Sequence, residues 1–269
     1  MTFSYHKATS LNDAVSRFEQ ADDPKFLAGG MTLLPTIRQR LAAPDQVIDL
    51  SDCGLSFVRD DDDCLVIGAM TSHQIVAEDP LVQAFLPGVA MLAAHIGDRQ
   101  VRVRGTIGGS IANNDPAACY PAALLALDAR ITTNKRTIAA ADYFVDLFET
   151  ALEEGEIITE IAFPKNRSSA YVKAPSPASR YAMVGVFIAK DDKAVQVAVT
   201  GAGDQGVFRC TEAEALLNDL FSPNSLDDLS LSEDGMMSDI HASSAFRVHL
   251  IKHIAKKAVS LMADTADRG

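Results

Sequence analysis

Apolar side chains at Leu11, Ala14, Val15 and Phe18 fall at i, i+3, i+4 and i+7, the spacing of one helix face. Ser10 stands before this run and Asp13 three residues later, which predicts an N-cap and a box-like first turn. A short apolar run, Phe26 to Ala28, leads through Gly29 and Gly30 into a helix predicted from about Thr32 to Leu41, then a strand at Val47 to Leu50. Cys64 to Met70 reads as a strand with Asp60 to Asp63 as the solvated turn before it. Leu86 to Ile96 reads as a largely buried helix ending at Gly97. Pro121 suits the first turn of a helix through Leu127, and Ile131 to Thr133 and Glu156 to Phe163 are strand-like.

Pro164 and Pro175 bracket a change of region, and a second domain is expected to begin about there. Tyr181 to Lys190 and Ala194 to Gly201 are two apolar strands separated by Asp191, Asp192 and Lys193, a hairpin signal. Thr211 and Glu214 have capping-box spacing ahead of Leu216, Leu217 and Leu220. A last helix from about Ser243 to Met262 is expected to bury Phe246, Leu250, Ile254, Ala258 and Leu261. No internal repeat is visible.

Composition narrows the function. A chain of 269 residues with 48% hydrophobic content suits a globular protein of two domains. Its net charge of -12 argues against a nucleic acid or an anionic membrane as partner, since both need a basic surface. Cys53, Cys64, Cys119 and Cys210 are widely spaced, so neither a disulfide framework nor a cysteine-ligated metal is signalled. The N-terminus lacks a signal-peptide pattern, and no apolar run approaches the roughly 20 residues of a membrane span. A cytoplasmic location is expected.

Two segments carry candidate chemistry. In Leu27 to Pro35 (LAGGMTLLP) a strand runs through two glycines into a helix, whose free amides attract anions. Gly29 and Gly30 would let the backbone approach a pyrophosphate, and Thr32 would cap the helix or donate its hydroxyl to phosphate. The same spacing suits a plain turn, and the GxGxxG pattern is absent. In Arg104 to Pro116 (RGTIGGSIANNDP), Gly105, Gly108 and Gly109 alternate with the polar Thr106, Ser110, Asn113 and Asn114. Successive amides in such a loop can form an anion-binding nest. His249 and His253, one helical turn apart, have no accompanying metal ligand at suitable spacing and read as a solvated face. No protein nucleophile is signalled.

Ala28-Gly29-Gly30 followed by Leu33-Leu34-Pro35, and Thr106 to Gly109 followed by Asp115-Pro116-Ala117 and Pro121 to Ala126, resemble the FAD-binding medium subunit of the molybdenum hydroxylases. Carbon monoxide dehydrogenase and xanthine dehydrogenase represent that family. The likeness continues through Gly155 to Ile158, Tyr171 to Lys173, Tyr181 to Val186 and Asp239 to Arg247. It implies an α+β fold with a PCMH-type FAD-binding domain at 1–165, in subdomains of about 1–52 and 53–165. A smaller α+β domain with an antiparallel sheet and helices, like the C-terminal domain of carbon monoxide dehydrogenase flavoproteins, follows at 166–269.

By the same resemblance Ala28, Gly29, Gly30, Met31, Thr32 and Leu33, with Thr106, Ile107, Gly108, Gly109 and Ser110, embrace the FAD pyrophosphate. Asp115 shapes the second loop, Ile158 and Lys173 lie near the flavin, and Tyr181 lies beside its ring. The sequence departs from its relatives at Met31, at Ser110, where Asn or Asp is usual, and at Cys119, where many place an aspartate; a thiol is the weaker partner. The implied function is electron relay from an iron-sulfur small subunit to an external acceptor, beside a molybdopterin-binding large subunit, in a dimer of heterotrimers. A stand-alone FAD-dependent oxidoreductase and a flavin-free structural or assembly subunit remain the alternatives.

Overall fold

The computed structural model describes residues 3–165 and 167–266. Its first unit alternates strand and helix: β1 (Ser4–Lys7), α1 (Leu11–Glu19), β2 (Pro24–Leu27), α2 (Leu33–Arg38) and β3 (Gln46–Asp49). The strands form a parallel sheet in the order β1-β3-β2. Ser10 caps α1 as expected, its side chain accepting from the Asp13 amide. α2 is shorter than the pattern predicts, stopping at Arg38 rather than Leu41, with Arg40 in a left-handed conformation at φ 62°.

The next unit opens with β4 (Val58–Asp61) and β5 (Cys64–Gly68). The acidic run read as a solvated turn is therefore half strand: Asp60 and Asp61 pair with Leu65 and Cys64 on the sheet edge, and the turn itself is Asp62 and Asp63. Edge strands tolerate such charge because one side of the ladder faces water. Six short helices follow: α3 (His73–Glu78), α4 (Pro80–Phe85), α5 (Pro87–Ala94), α6 (Arg99–Arg104), α7 (Ile107–Asn113) and α8 (Tyr120–Ala126). α5 ends short of Gly97. The unit closes with β6 (Arg130–Thr133), β7 (Thr137–Ala139), α9 (Ala140–Tyr143), the small pair β8 (Phe144–Asp146) and β9 (Glu149–Thr150), and β10 (Ile158–Pro164). Its antiparallel sheet runs β4-β5-β10-β6-β7.

The chain then builds an antiparallel sheet from β11 (Ser168–Pro175), β12 (Ala182–Lys190), β13 (Val195–Gly203) and β14 (Gly206–Arg209) in chain order. The predicted hairpin joins β12 to β13, with Asp191 Oδ1 accepting from the amides of Lys193 and Ala194. These two strands read as near-continuous apolar runs because both faces are covered. Val184, Val186, Ile188, Val195, Val197 and Val199 face one core, while Phe187, Ala189 and Ala198 face the other.

The first of these cores is shared with α10 (Thr211–Asp219) and α11 (Ser244–Ala266). The second is continuous with the core around Tyr120, Tyr143 and Phe163. Thr211 is not the cap of α10, which begins after Cys210 without a side-chain cap. Glu214 turns away to accept from the Val197 amide at 2.9 Å and from Arg209.

The buried face of α11 also differs from expectation. Ile251, Ile254, Ala255, Ala258, Val259 and Met262 face the sheet, whereas Phe246 and Leu261 are 45% and 41% exposed. The first inward position is taken by Arg247, only 3% exposed, which donates to the carbonyls of Met183 and Gly201 and pairs with Asp239 at 2.8 Å. Removing a buried, hydrogen-bonded charge strands its partners. Arg247→Ala is therefore expected to lower the unfolding free energy by about 3 kcal/mol, read as a lower urea midpoint at unchanged slope.

Candidate functional site

The turn from β2 into α2 is shaped by how closely another backbone approaches it. A Cβ on Gly29 would lie 2.0 Å from the Arg104 carbonyl oxygen, and Gly30 adopts φ +73°. Only glycine meets the first condition, and glycine meets the second without strain. Among the described residues, the amides of Gly29, Gly30, Met31 and Thr32 have no hydrogen-bond acceptor. Thr32 occupies the N-cap position but makes no side-chain cap, so its hydroxyl is left for another partner.

The second glycine segment is not an open loop. Thr106 caps α7 by accepting from the Gly109 amide at 3.1 Å, and the glycines form the helix's first turn. The Ile107 and Gly108 amides donate to the carbonyls of Thr71 and Ala69, and that of Ser110 to Thr106. The four successive amides are thus satisfied internally. Gly108 lies so close to the residue just after β5 that a Cβ would meet the Ala69 side chain at 2.6 Å.

Asn114, left-handed at φ 41°, turns into the protein and donates to the carbonyls of Asp146 and Glu149. Asp115 Oδ1 accepts from the Ala117 amide at 2.8 Å, which folds the turn into α8. Thr200 on β13 fastens that turn by donating to the Pro116 and Ala118 carbonyls at 3.0 and 2.6 Å.

These segments wall a cleft of about 680 Å³, within the range of small-molecule and cofactor sites. Ala28, Gly29, Gly30, Met31, Thr32, Leu33, Thr106, Gly108, Gly109, Ser110, Asp115, Cys119, Ile158, Lys173 and Tyr181 all line it. Ile107 and Asn114 of these segments do not: Ile107 is fully buried in the core behind the wall, and Asn114 is held by the Asp146 and Glu149 carbonyls. Lys173 Nζ donates to the Arg180 carbonyl at 2.9 Å and lies 3.6 Å from Cys119 Sγ. Burial raises the Tyr181 phenol above its ordinary pKa, with the charge of Asp115 adding to it. Burial also raises the Asp115 carboxyl, against the opposing Ala117 hydrogen bond. Unpaired backbone donors at one wall and an ammonium at the other suit an anionic ligand.

The cleft also takes in His73, Met70 and Glu156, which no local pattern singles out. His73 Nδ1 hydrogen-bonds Tyr120 Oη at 3.2 Å, and burial, helped by the Arg102 charge, lowers its pKa to about 4. Burial opposes charge on Glu156, but bonds from Arg136, the Glu153 amide and Thr133 outweigh it and hold the carboxyl at about 2. Both residues reach the cleft through tertiary packing. His249 and His253 lie exposed on α11, remote in the chain from every lining residue. Among the described residues no group of three or more His, Cys, Asp or Glu could hold a metal ion.

The profile of a family described as "FAD binding domain in molybdopterin dehydrogenase" matches residues 1–166. Over 95% of both chains, the sequence is 33% identical to the nicotine 6-hydroxylase medium subunit of Paenarthrobacter nicotinovorans. It is 31% identical to the carbon monoxide dehydrogenase medium chain of Hydrogenophaga pseudoflava, with 96% of each chain covered. The fold superposes on a chain of reconstituted CO dehydrogenase from Oligotropha carboxidovorans with a TM-score of 0.89, 29% identity and 97% of each chain covered. No helix among the described residues is long and apolar enough to cross a membrane.

Two outcomes follow from the geometry. Gly29→Ala must push Arg104 and Gly105 backbone away, and is expected to destabilise the protein by about 1–3 kcal/mol, with hydrogen exchange accelerated first in the glycine turn and α6. His73 has a folded pKa of about 4, below its ordinary 6.5, so the unfolded chain binds the extra proton between those values. Stability should therefore fall as pH drops from 6.5 to 4, and the His73 ring should titrate near 4 by NMR.

Proposed function

The chain belongs to the FAD-binding medium subunits of the molybdenum hydroxylases, and on that premise we propose that it holds FAD in the cleft and serves as an electron relay. In this reading an iron-sulfur subunit delivers electrons, an external acceptor removes them, and a molybdopterin-binding large subunit performs the hydroxylation, within a dimer of heterotrimers. Bound FAD would supply exchange between one- and two-electron transfer; the protein supplies grip and orientation.

The observation that carries the reading is the row of unbonded amides from Gly29 to Thr32 facing a cleft of cofactor size. These amides, with the Thr32 hydroxyl, would hold the diphosphate, and Ala28, Met31 and Leu33 would frame them. Thr106, Gly108, Gly109 and Ser110 would form the adjoining wall, with Ile107 packed behind it. Asp115 would set the turn, and Ile158, Lys173 and Tyr181 would line the remainder with an apolar surface, a cation and a half-exposed ring. Cys119 offers a weak hydrogen-bonding group where a carboxylate would be strong.

The proposed domains are 1–165, with subdomains meeting near residue 52, and 166–269. This division is supported by separate sheets: β1 to β3, β4 to β10, and β11 to β14.

The purified chain should show a visible band near about 450 nm that denaturation releases as free flavin. A colourless chain that refuses added FAD would remove this reading, and failure to co-purify with molybdopterin and iron-sulfur chains would remove the relay. Cys119→Asp is expected to tighten FAD binding roughly tenfold, the scale of one charge-assisted hydrogen bond, measured by flavin fluorescence quenching.

A further inference from the structure

Side chains from two distant segments, Cys119 before α8 and Tyr171 and Lys173 on β11, meet beside the cleft. Cys119 Sγ, just before α8, is 3.6 Å from Lys173 Nζ. No carboxylate among the described residues pairs with this ammonium; its other partner is the Arg180 carbonyl, at 2.9 Å. Arg180 holds a left-handed backbone at φ 63°, a conformation kept only where the surroundings require it, and its carbonyl anchors Lys173 beside the sulfur.

Tyr171 lies two residues before Lys173 and so points to the same face of β11. Its side chain is buried, at 2% exposure, and the hydroxyl finds no nitrogen or oxygen partner among the described residues. The hydroxyl nevertheless sits near the thiol: burial first, and then Cys119, raise its pKa. A buried hydroxyl without an acceptor is unusual. The Cys119 sulfur beside it is only a weak acceptor, and an oxygen atom added to that sulfur would be a stronger one.

The other three cysteines lack this arrangement. Cys210 is fully buried, and burial pushes its thiol up to about 12. Cys53 contacts the Ala8 carbonyl, and Cys64 lies 3.5 Å from Arg130, whose guanidinium is a poor nucleophile. Cys119 alone combines a place on the cleft with a primary amine at contact distance.

We propose that Cys119 and Lys173 form a redox modification site, in which hydrogen peroxide entering the cleft converts the thiol to a sulfenic acid and the lysine amine then closes on the sulfur. In the first step the peroxide O–O bond breaks, one oxygen joins the sulfur and the other leaves as water; sulfur loses two electrons and peroxide gains them. In the second, Nζ attacks Sγ, the S–O bond breaks and an S–N bond forms. The ammonium gives up two protons, one leaving with the hydroxyl as water and one passing to solvent, with no further change in oxidation level. A thiol reductant reverses the link. The proposal concerns the protein's own side chains and does not rest on FAD binding.

The test treats the full-length, FAD-free chain with hydrogen peroxide, followed by non-reducing digestion and mass spectrometry. The expected product joins the peptides carrying Cys119 and Lys173 at their summed mass less two hydrogens, resists trypsin after Lys173, and separates in dithiothreitol. Lys173→Arg keeps the charge but removes the primary amine, so Cys119 should instead be trapped as a dimedone adduct; Lys173→Met provides a second check, with circular dichroism confirming that each variant folds. Oxidation confined to Cys53 and Cys64 would overturn the proposal. So would a wild-type chain that gives the dimedone adduct at Cys119 and no joined peptide.

Discussion

The arrangement of the site depends on one steric constraint: the backbone at Gly29 packs against the Arg104 carbonyl with no room for a side chain between them. This contact joins the parallel sheet of the first unit to the end of α6 and so sets where α2 and α7 begin relative to each other. It leaves the amides from Gly29 to Thr32 without acceptors and aimed into space rather than into a neighbouring strand. Unbonded donors of this kind are tolerable only where water or a ligand reaches them.

The two glycine segments look alike in composition but do different physical work. The first presents free donors. In the second the donors are consumed by Thr71, Ala69 and Thr106, and Gly108 lets α7 pack closely on Ala69, just past the end of β5. The opposite side of the cleft is set by the C-terminal sheet, where Thr200 ties the turn at Pro116 and Ala118 to β13 and brings Lys173 beside Cys119. Each wall is thus fixed by backbone carbonyls as much as by side-chain shape.

Local patterns were legible where their partners are local. Ser10 caps α1 through its own first turn, and Asp191 closes the β12–β13 hairpin through amides two and three residues on. The cofactor family was legible from the spacing of the glycine segments and their flanking residues. Distant partners hid the rest. The inward turn of Arg247 answers carbonyls on β12 and β13, and it excludes Phe246 from the face that periodicity assigned to it. Asn114 left the candidate site because Asp146 and Glu149 claim its amide group, and His73 entered the cleft because Tyr120 holds its ring. Ile107, one residue from the Thr106 cap, points into the core because a helical turn sends adjacent side chains to different faces.

Phe187, Ala189 and Ala198 on the C-terminal sheet pack into the same continuous core as Tyr120, Leu124 and Phe163. Proteins that swallow a ligand by clamshell closure need a thin, wettable seam between their moving halves. A shared dry core is the opposite of a hinge: opening the cleft wider would expose these side chains to water. The wall that carries Lys173 therefore cannot swing away from the wall that carries Cys119 without exposing that core.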